Sequence, residues 1–142
     1  MVTRNKFLVV LLLTLIAAAC GTKDNGEKSG MYEPTELALL MKKMVKDYGE
    51  SQALLEEGKM PKYKVDYAKD ILTSEATDPN DINDLYKSLA APFIAQADAY
   101  AASSDSLPAQ IEMHNLTIKS CISCHQSFCS GPISAIKKLL VR

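Results

Sequence analysis

Apolar side chains recur at alternating spacings of three and four residues in three separate stretches of this 142-residue chain. That spacing places them along one side of an α-helix, and no stretch shows the strict alternation expected of a half-buried strand. The first series runs through Leu37, Met41, Met44, Tyr48, Ser51 and Leu55. The sequence therefore predicts an all-α fold, in which each helix buries one seam against its neighbours.

Turn and capping residues set the expected helix ends. Pro34 suits a first helical position and Gly58 a stop, so the first helix is predicted over 35–57. A shorter pattern containing Val65, Ala68, Ile71 and Leu72 predicts a second helix over 63–75. It ends before the turn-rich stretch 77–81.

The third helical pattern runs from Ile82 to Tyr100, and Pro92 inside it should kink or split the helix. Pro108 opens a fourth helix, whose seam continues to Phe128. Four helices of this kind predict an antiparallel four-helix bundle over 34–142. The basic, apolar tail Ile133–Arg142 is expected to pack along the bundle or to add a helical turn.

The first 19 residues are predicted to be an export signal. Arg4 and Lys6 precede an apolar run of 13 residues, shorter than the roughly 20 needed to span a bilayer as a helix. Since those two are the only charged residues before Cys20, removing the segment changes the net charge from −1 to −3. Such a balance gives no electrostatic footprint for nucleic acid.

Three alanines lead directly into Cys20 and Gly21, and this junction resembles the lipobox of bacterial lipoproteins. The resemblance implies cleavage before Cys20, acylation of its thiol and a lipid anchor on the periplasmic face of a bacterial membrane. The alternative is an unanchored periplasmic protein with Cys20 near its cleaved end. Residues 20–33 are polar and glycine-containing, which is typical of a flexible tether.

The sequence Cys121-Ile122-Ser123-Cys124-His125 matches the pattern to which c-type haem is attached. On a helix, Cys121 and Cys124 share one face, so each can form a thioether to one vinyl group of a single porphyrin. His125 can then bind the iron as proximal ligand. Two alternatives remain open: a disulfide between the two cysteines, or a zinc site that also uses Cys129.

A helical bundle that carries this motif on its last helix, with an aromatic residue three positions later at Phe128, resembles cytochrome c prime and the related class II cytochromes c. The resemblance covers roughly 34–130. It implies a single haem c and a first-helix side chain over the distal face of the iron. We carry that role onto Met44, with Met41 as the alternative, while both could also be core filler.

Two other residues remain to be assigned. His114 is eleven residues before His125, about 16 Å along a helix, so the two cannot share one iron. It is expected to be a core or rim histidine that hydrogen-bonds a propionate or a backbone carbonyl. Cys129 is expected to be a small buried residue beneath the tail, and an intermolecular disulfide is the alternative.

The predicted function is a non-enzymatic one: a lipid-anchored cytochrome that carries single electrons to and from redox partner proteins of the cell envelope. The alternative is a five-coordinate haem protein that binds nitric oxide or carbon monoxide. In that case, Met44 would only fill space. The helix seams also permit a homodimer.

Overall fold

The computed structural model describes residues 33–62, 65, 67–103 and 106–142, and Glu33–Arg142 forms one unit. Every regular element in that part of the chain is helical, which confirms the predicted fold class. The α-helices are α1 (Glu36–Glu56), α2 (Asp84–Ala102), α3 (Leu107–Phe128) and α4 (Ile133–Ile136). The predicted signal over 1–19, the lipidation site Cys20 and nearly all of the tether lie outside the described residues.

Helix α1 follows its predicted boundaries to within one residue at each end. Its buried side chains are Met44, Tyr48, Ser51 and Leu55, all of them on the predicted seam. Gly58 ends the helix with a positive φ of 73°, a conformation that glycine adopts without steric cost. The amides of Gly58 and Lys59 then donate to the carbonyls of Leu55 and Leu54, at 3.0 and 2.8 Å.

The predicted α-helix over 63–75 is wrong. The described part of this segment contains only a 3-10 helix, Ala68–Leu72. Val65, Ala68 and Ile71 are nevertheless buried, so the pattern identified the right core residues but the wrong backbone. Only part of the described segment faces the core, and an isolated helix this short gains little from its own hydrogen bonds.

The end of this segment also stabilises the start of α1. Thr35 is the N-cap residue but makes no side-chain capping bond. The amide of Leu37 instead donates to the carbonyl of Glu75 at 3.0 Å, and the Glu75 amide donates to the Glu36 carboxylate at 3.1 Å. These bonds satisfy a helix N-terminus and hold the segment against α1.

Pro92 was expected to kink or to split α2, and it does not split the helix. The helix runs from Asp84 to Ala102 through the proline, and the Asn83 side chain caps it by accepting from the Tyr86 amide at 3.0 Å. Pro92 lies on the exposed face, where water can hydrate the carbonyl that its missing N–H leaves unpaired.

Helix α3 begins at Leu107 with Pro108 in its first turn, as predicted, and packs against α2 and α1. The predicted tail forms α4 and a 3-10 turn, Lys137–Leu139, and buries Ile136, Leu139 and Val141. Both expected forms of the tail, a further helical turn and packing along the helices, are therefore present. Within the described residues, no helix is long and apolar enough to cross a membrane.

His114, on α3, is fully buried at the centre of this core. Its Nε2 lies 2.8 Å from the carbonyl oxygen of Leu139, and its ring makes edge contacts with Tyr48 and Tyr100. Because a carbonyl only accepts, Nε2 carries the proton. Of the two expected partners, the backbone carbonyl is confirmed.

Burial lowers the pKa of His114 below its usual 6.5, although the bond to Leu139 and the charge of Glu56 oppose that shift. The unfolded chain keeps the usual pKa and so binds more protons just below pH 6.5. The contribution of His114 to the free energy of unfolding should be complete above that pH and decline as the pH falls. Urea unfolding should show a lower free energy of unfolding at about pH 5.5 than at about pH 7.5, and this difference should be smaller in His114→Gln. An equal loss in both proteins would assign it to other groups.

Candidate functional site

A cavity of about 540 Å³ lies among α1, α2, α3 and the C-terminal segment, and its lining is mostly apolar. Its volume falls within the roughly 300–1,000 Å³ of small-molecule and cofactor pockets. Five predicted site residues line it together. They are Met41 and Met44 from α1, with Cys121, Cys124 and His125 from α3.

Cys121 and Cys124 lie one helical turn apart on α3, so both thiols reach the same cavity. Both thiols are free and partly exposed, so the two sulfurs are not joined in the disulfide that was one alternative. Burial raises the pKa of both thiols, that of Cys121 to about 12. Each thiol is therefore less acidic than that of an exposed cysteine.

The His125 ring is oriented by the end of its own helix. Its Nδ1 lies 3.0 Å from the carbonyl oxygen of Cys129, the residue that caps α3. That carbonyl can only accept, so Nδ1 donates and Nε2 keeps its lone pair. A histidine whose Nδ1 proton is held by a carbonyl is arranged as metal-binding histidines commonly are.

Two thioether sulfurs approach the cavity from α1. Met44 is 5% exposed and belongs to the continuous core, whereas Met41 is only partly buried at its edge. A thioether is a soft ligand for iron, and it is also a common filler of irregular apolar space. The deeper burial of Met44 favours it over Met41 for any role inside the cavity.

Aromatic side chains from α2 and α3 meet beside the cysteines. Tyr86 and Phe128 pack edge to face, with ring centroids 5.6 Å apart, and the Tyr86 hydroxyl donates to the Ile71 carbonyl at 2.8 Å. Burial, and secondarily the charge of Cys124, raise the pKa of Tyr86 to about 12. Tyr86 therefore stays neutral and links the 3-10 segment to the cavity wall.

Cys129 is not the buried residue that was predicted, because its side chain is exposed at the end of α3. The chain turns away from the helix at this residue, so the tail passes without covering the thiol. Cys129 contributes to the site mainly through its backbone carbonyl, and the identity of a side chain does not predict a role for the backbone.

Four further lining residues come from the tail and from the proline that precedes it: Pro132, Ala135, Ile136 and Leu139. Their apolar character indicated burial, but nothing in the linear pattern indicated which surface they would cover. The 3-10 segment contributes Ile71 in the same way.

The described residues contain no group of three or more His, Cys, Asp or Glu side chains arranged to hold a metal ion. Cys121, Cys124, His125 and Cys129 thus do not form the tetrahedral cluster that a structural zinc site requires. A single histidine nitrogen with two neighbouring thiols is a different donor set, suited to a group attached by carbon–sulfur bonds.

No protein-family model, curated protein or solved structure matches this chain.

Proposed function

We propose that the chain is a monohaem c-type cytochrome, similar to the class II cytochromes c, that carries single electrons in the bacterial cell envelope. The observation that carries the proposal is the convergence of Cys121, Cys124, His125 and Met44 on one apolar cavity, with the His125 Nδ1 engaged and its Nε2 free. Met44 is distant from the motif in the sequence, so its presence in the same cavity is support that the motif alone does not give.

The residues present fit haem c. Cys121 and Cys124 would hold it by thioether bonds, His125 would be its proximal ligand and Met44 its distal ligand, with Met41 as the alternative. When bound, haem supplies an iron that accepts and releases one electron, and no substrate chemistry is needed.

The chain's own groups define the environment of that site. The Cys129 carbonyl holds the ring of His125 in one orientation through its bond to Nδ1. The side chains of Phe93, Ile118 and Ile136 keep the cavity apolar, which disfavours added charge. As a ligand, the Met44 thioether would favour the reduced state of the iron and would exclude exogenous ligands.

The proposal extends to architecture and location. The short link between α2 and α3 favours antiparallel neighbours, as in a helical bundle, with the segment Ala68–Leu72 in place of a full second helix. The Cys20 junction supports lipidation and anchoring on the periplasmic side of a membrane. Partners would be redox proteins of the envelope, and self-association as a homodimer is the remaining assembly proposal.

The test is an optical spectrum of the chain produced together with haem-maturation machinery. A haem band that survives denaturing electrophoresis, and sharp reduced α and β bands that carbon monoxide leaves unchanged, are the expected results. A colourless protein with two titratable thiols at Cys121 and Cys124 would contradict the proposal.

One observation favours a second candidate function. Met44 is part of the continuous apolar core, where methionine commonly fills space without binding anything. If Met44 acts only as packing, the site is five-coordinate and binds nitric oxide or carbon monoxide. A broad reduced spectrum that shifts with carbon monoxide would support that function instead.

A further inference from the structure

Ten residues near the C-terminus form a separate wall of the cavity, which we call the C-terminal strap (residues 132–141). Four of its side chains line the cavity directly: Pro132, Ala135, Ile136 and Leu139. Ile136 and Leu139 are also almost fully buried, at 4% and 8% exposure. The strap therefore separates the cavity from solvent on one side.

The strap has little regular structure with which to hold itself in place. Its α-helix is the single turn Ile133–Ile136, followed by the three-residue 3-10 turn Lys137–Leu139. Helical pieces this short are not stable alone, and their last carbonyls have no partner within the element. Side chains from other elements must determine where the strap lies.

Four consecutive strap carbonyls accept hydrogen bonds from three side chains on α1 and α3. Gln52 Nε2 lies 2.9 and 3.2 Å from the carbonyl oxygens of Lys138 and Leu140. His114 Nε2 lies 2.8 Å from the carbonyl oxygen of Leu139. Asn115 Nδ2 lies 3.1 Å from the carbonyl oxygen of Val141. The Asn115 Oδ1 also accepts from the Val141 amide at 2.9 Å. We call Gln52, His114 and Asn115 the clamp.

The clamp is connected to the cavity by direct packing. His114 contacts the ring of Tyr48, which lines the cavity, and its bonding partner Leu139 lines it too. The Leu139 side chain packs toward Gly49 on α1, where a Cβ would lie 3.7 Å from its Cδ2 atom. Release of the strap would thus remove Leu139 and Ile136 from the wall together.

We propose that the strap controls the access of small molecules to the cavity, and that Gln52, His114 and Asn115 are the positioning residues that keep it closed. The proposal rests on the function proposed above only for the identity of the group that the strap shields. The wall and its clamp are properties of the polypeptide.

The test compares Asn115→Ala and His114→Phe with the wild-type chain by hydrogen–deuterium exchange. Exchange of the amides in 138–142 should become faster on the order of tenfold, as expected when hydrogen bonds of this kind are lost. Exchange in the middle of α2 should stay unchanged. His114→Gln, whose amide can still donate to Leu139, should restore much of the protection.

Gln110→Ala is the matched control. Gln110 is also buried on α3 and donates a 2.6 Å hydrogen bond, but to Ser103, away from the strap. Its loss should leave strap exchange unchanged. If strap amides exchanged as fast in Gln110→Ala as in the clamp variants, the cause would be a general loosening of α3, and the proposed role of the clamp would be disproved.

Access is measured by a second readout on the same proteins. With haem attached, imidazole should bind several-fold faster in the two clamp variants. If the isolated chain carries no haem, the proposed function fails, and modification of Cys121 and Cys124 by a small maleimide reports access instead. Faster strap exchange with unchanged imidazole or maleimide rates would show that the strap is not a barrier.

Discussion

A chain with serine at both Cys121 and Cys124 should retain no haem after denaturation, whereas the unmodified chain should keep all of it. The two thiols are free, lie one turn apart on α3 and line the cavity that His125 also faces. Serine cannot form the carbon–sulfur bonds that the proposed attachment requires. Loss of covalent haem is therefore expected to be complete, the largest effect of any change considered.

The measurement is haem staining after denaturing electrophoresis, with the mass of the intact chain as an independent readout. Cys129→Ser is the matched control, because Cys129 lies on the same segment but its thiol is exposed. This control should keep its haem, since its backbone carbonyl remains to accept from His125. Each single variant, Cys121→Ser or Cys124→Ser, should retain less haem than the control. Full haem content in the double variant would disprove the attachment.

The sequence was sufficient to predict those features that depend on local periodicity. The seam from Met44 to Leu55 predicted α1 almost residue by residue, because a long helix with one buried face has a strong 3.6-residue signal. The motif at Cys121–His125 lies on a helix for the same reason. The resemblance to the class II cytochromes c, rather than periodicity, placed Met44 on α1 at the same site as the motif on α3, and both line one cavity.

What could not be predicted depends on contacts between distant segments. Glu75, which follows the 3-10 helix at 68–72, bonds to Glu36 and Leu37 on α1, and no periodic pattern encodes those bonds. The strap lies where Gln52, His114 and Asn115 hold its carbonyls, between 25 and 88 residues away along the chain. The exposure of Cys129 follows from the backbone turn at the end of α3, and side-chain hydrophobicity suggested the opposite.

In the proposed cytochrome, Met44→Ala should convert the iron from a six-coordinate low-spin form to a high-spin form that binds carbon monoxide. The Met44 side chain is 5% exposed and lies on the cavity wall supplied by α1, while His125 approaches from α3. Alanine has no sulfur with which to coordinate an iron held in the cavity. The reduction potential should fall, because the thioether favours the ferrous state.

Met41→Ala separates loss of ligation from loss of packing. Met41 lines the same cavity but is less buried, so this variant removes a similar volume at the cavity edge.

Met44→Ala should also lower the free energy of unfolding by about 2–5 kcal/mol, the usual cost of truncating a buried methionine. Met44→Leu removes the sulfur while keeping most of the volume, and it should therefore be high-spin but nearly as stable as the unmodified chain. If Met44→Leu keeps the low-spin spectrum and Met41→Ala loses it, Met41 is the ligand. If both variants keep the low-spin spectrum, neither methionine alone is required. If the unmodified protein is already high-spin, the gas-binding function is favoured, because Met44 then serves only to fill the core.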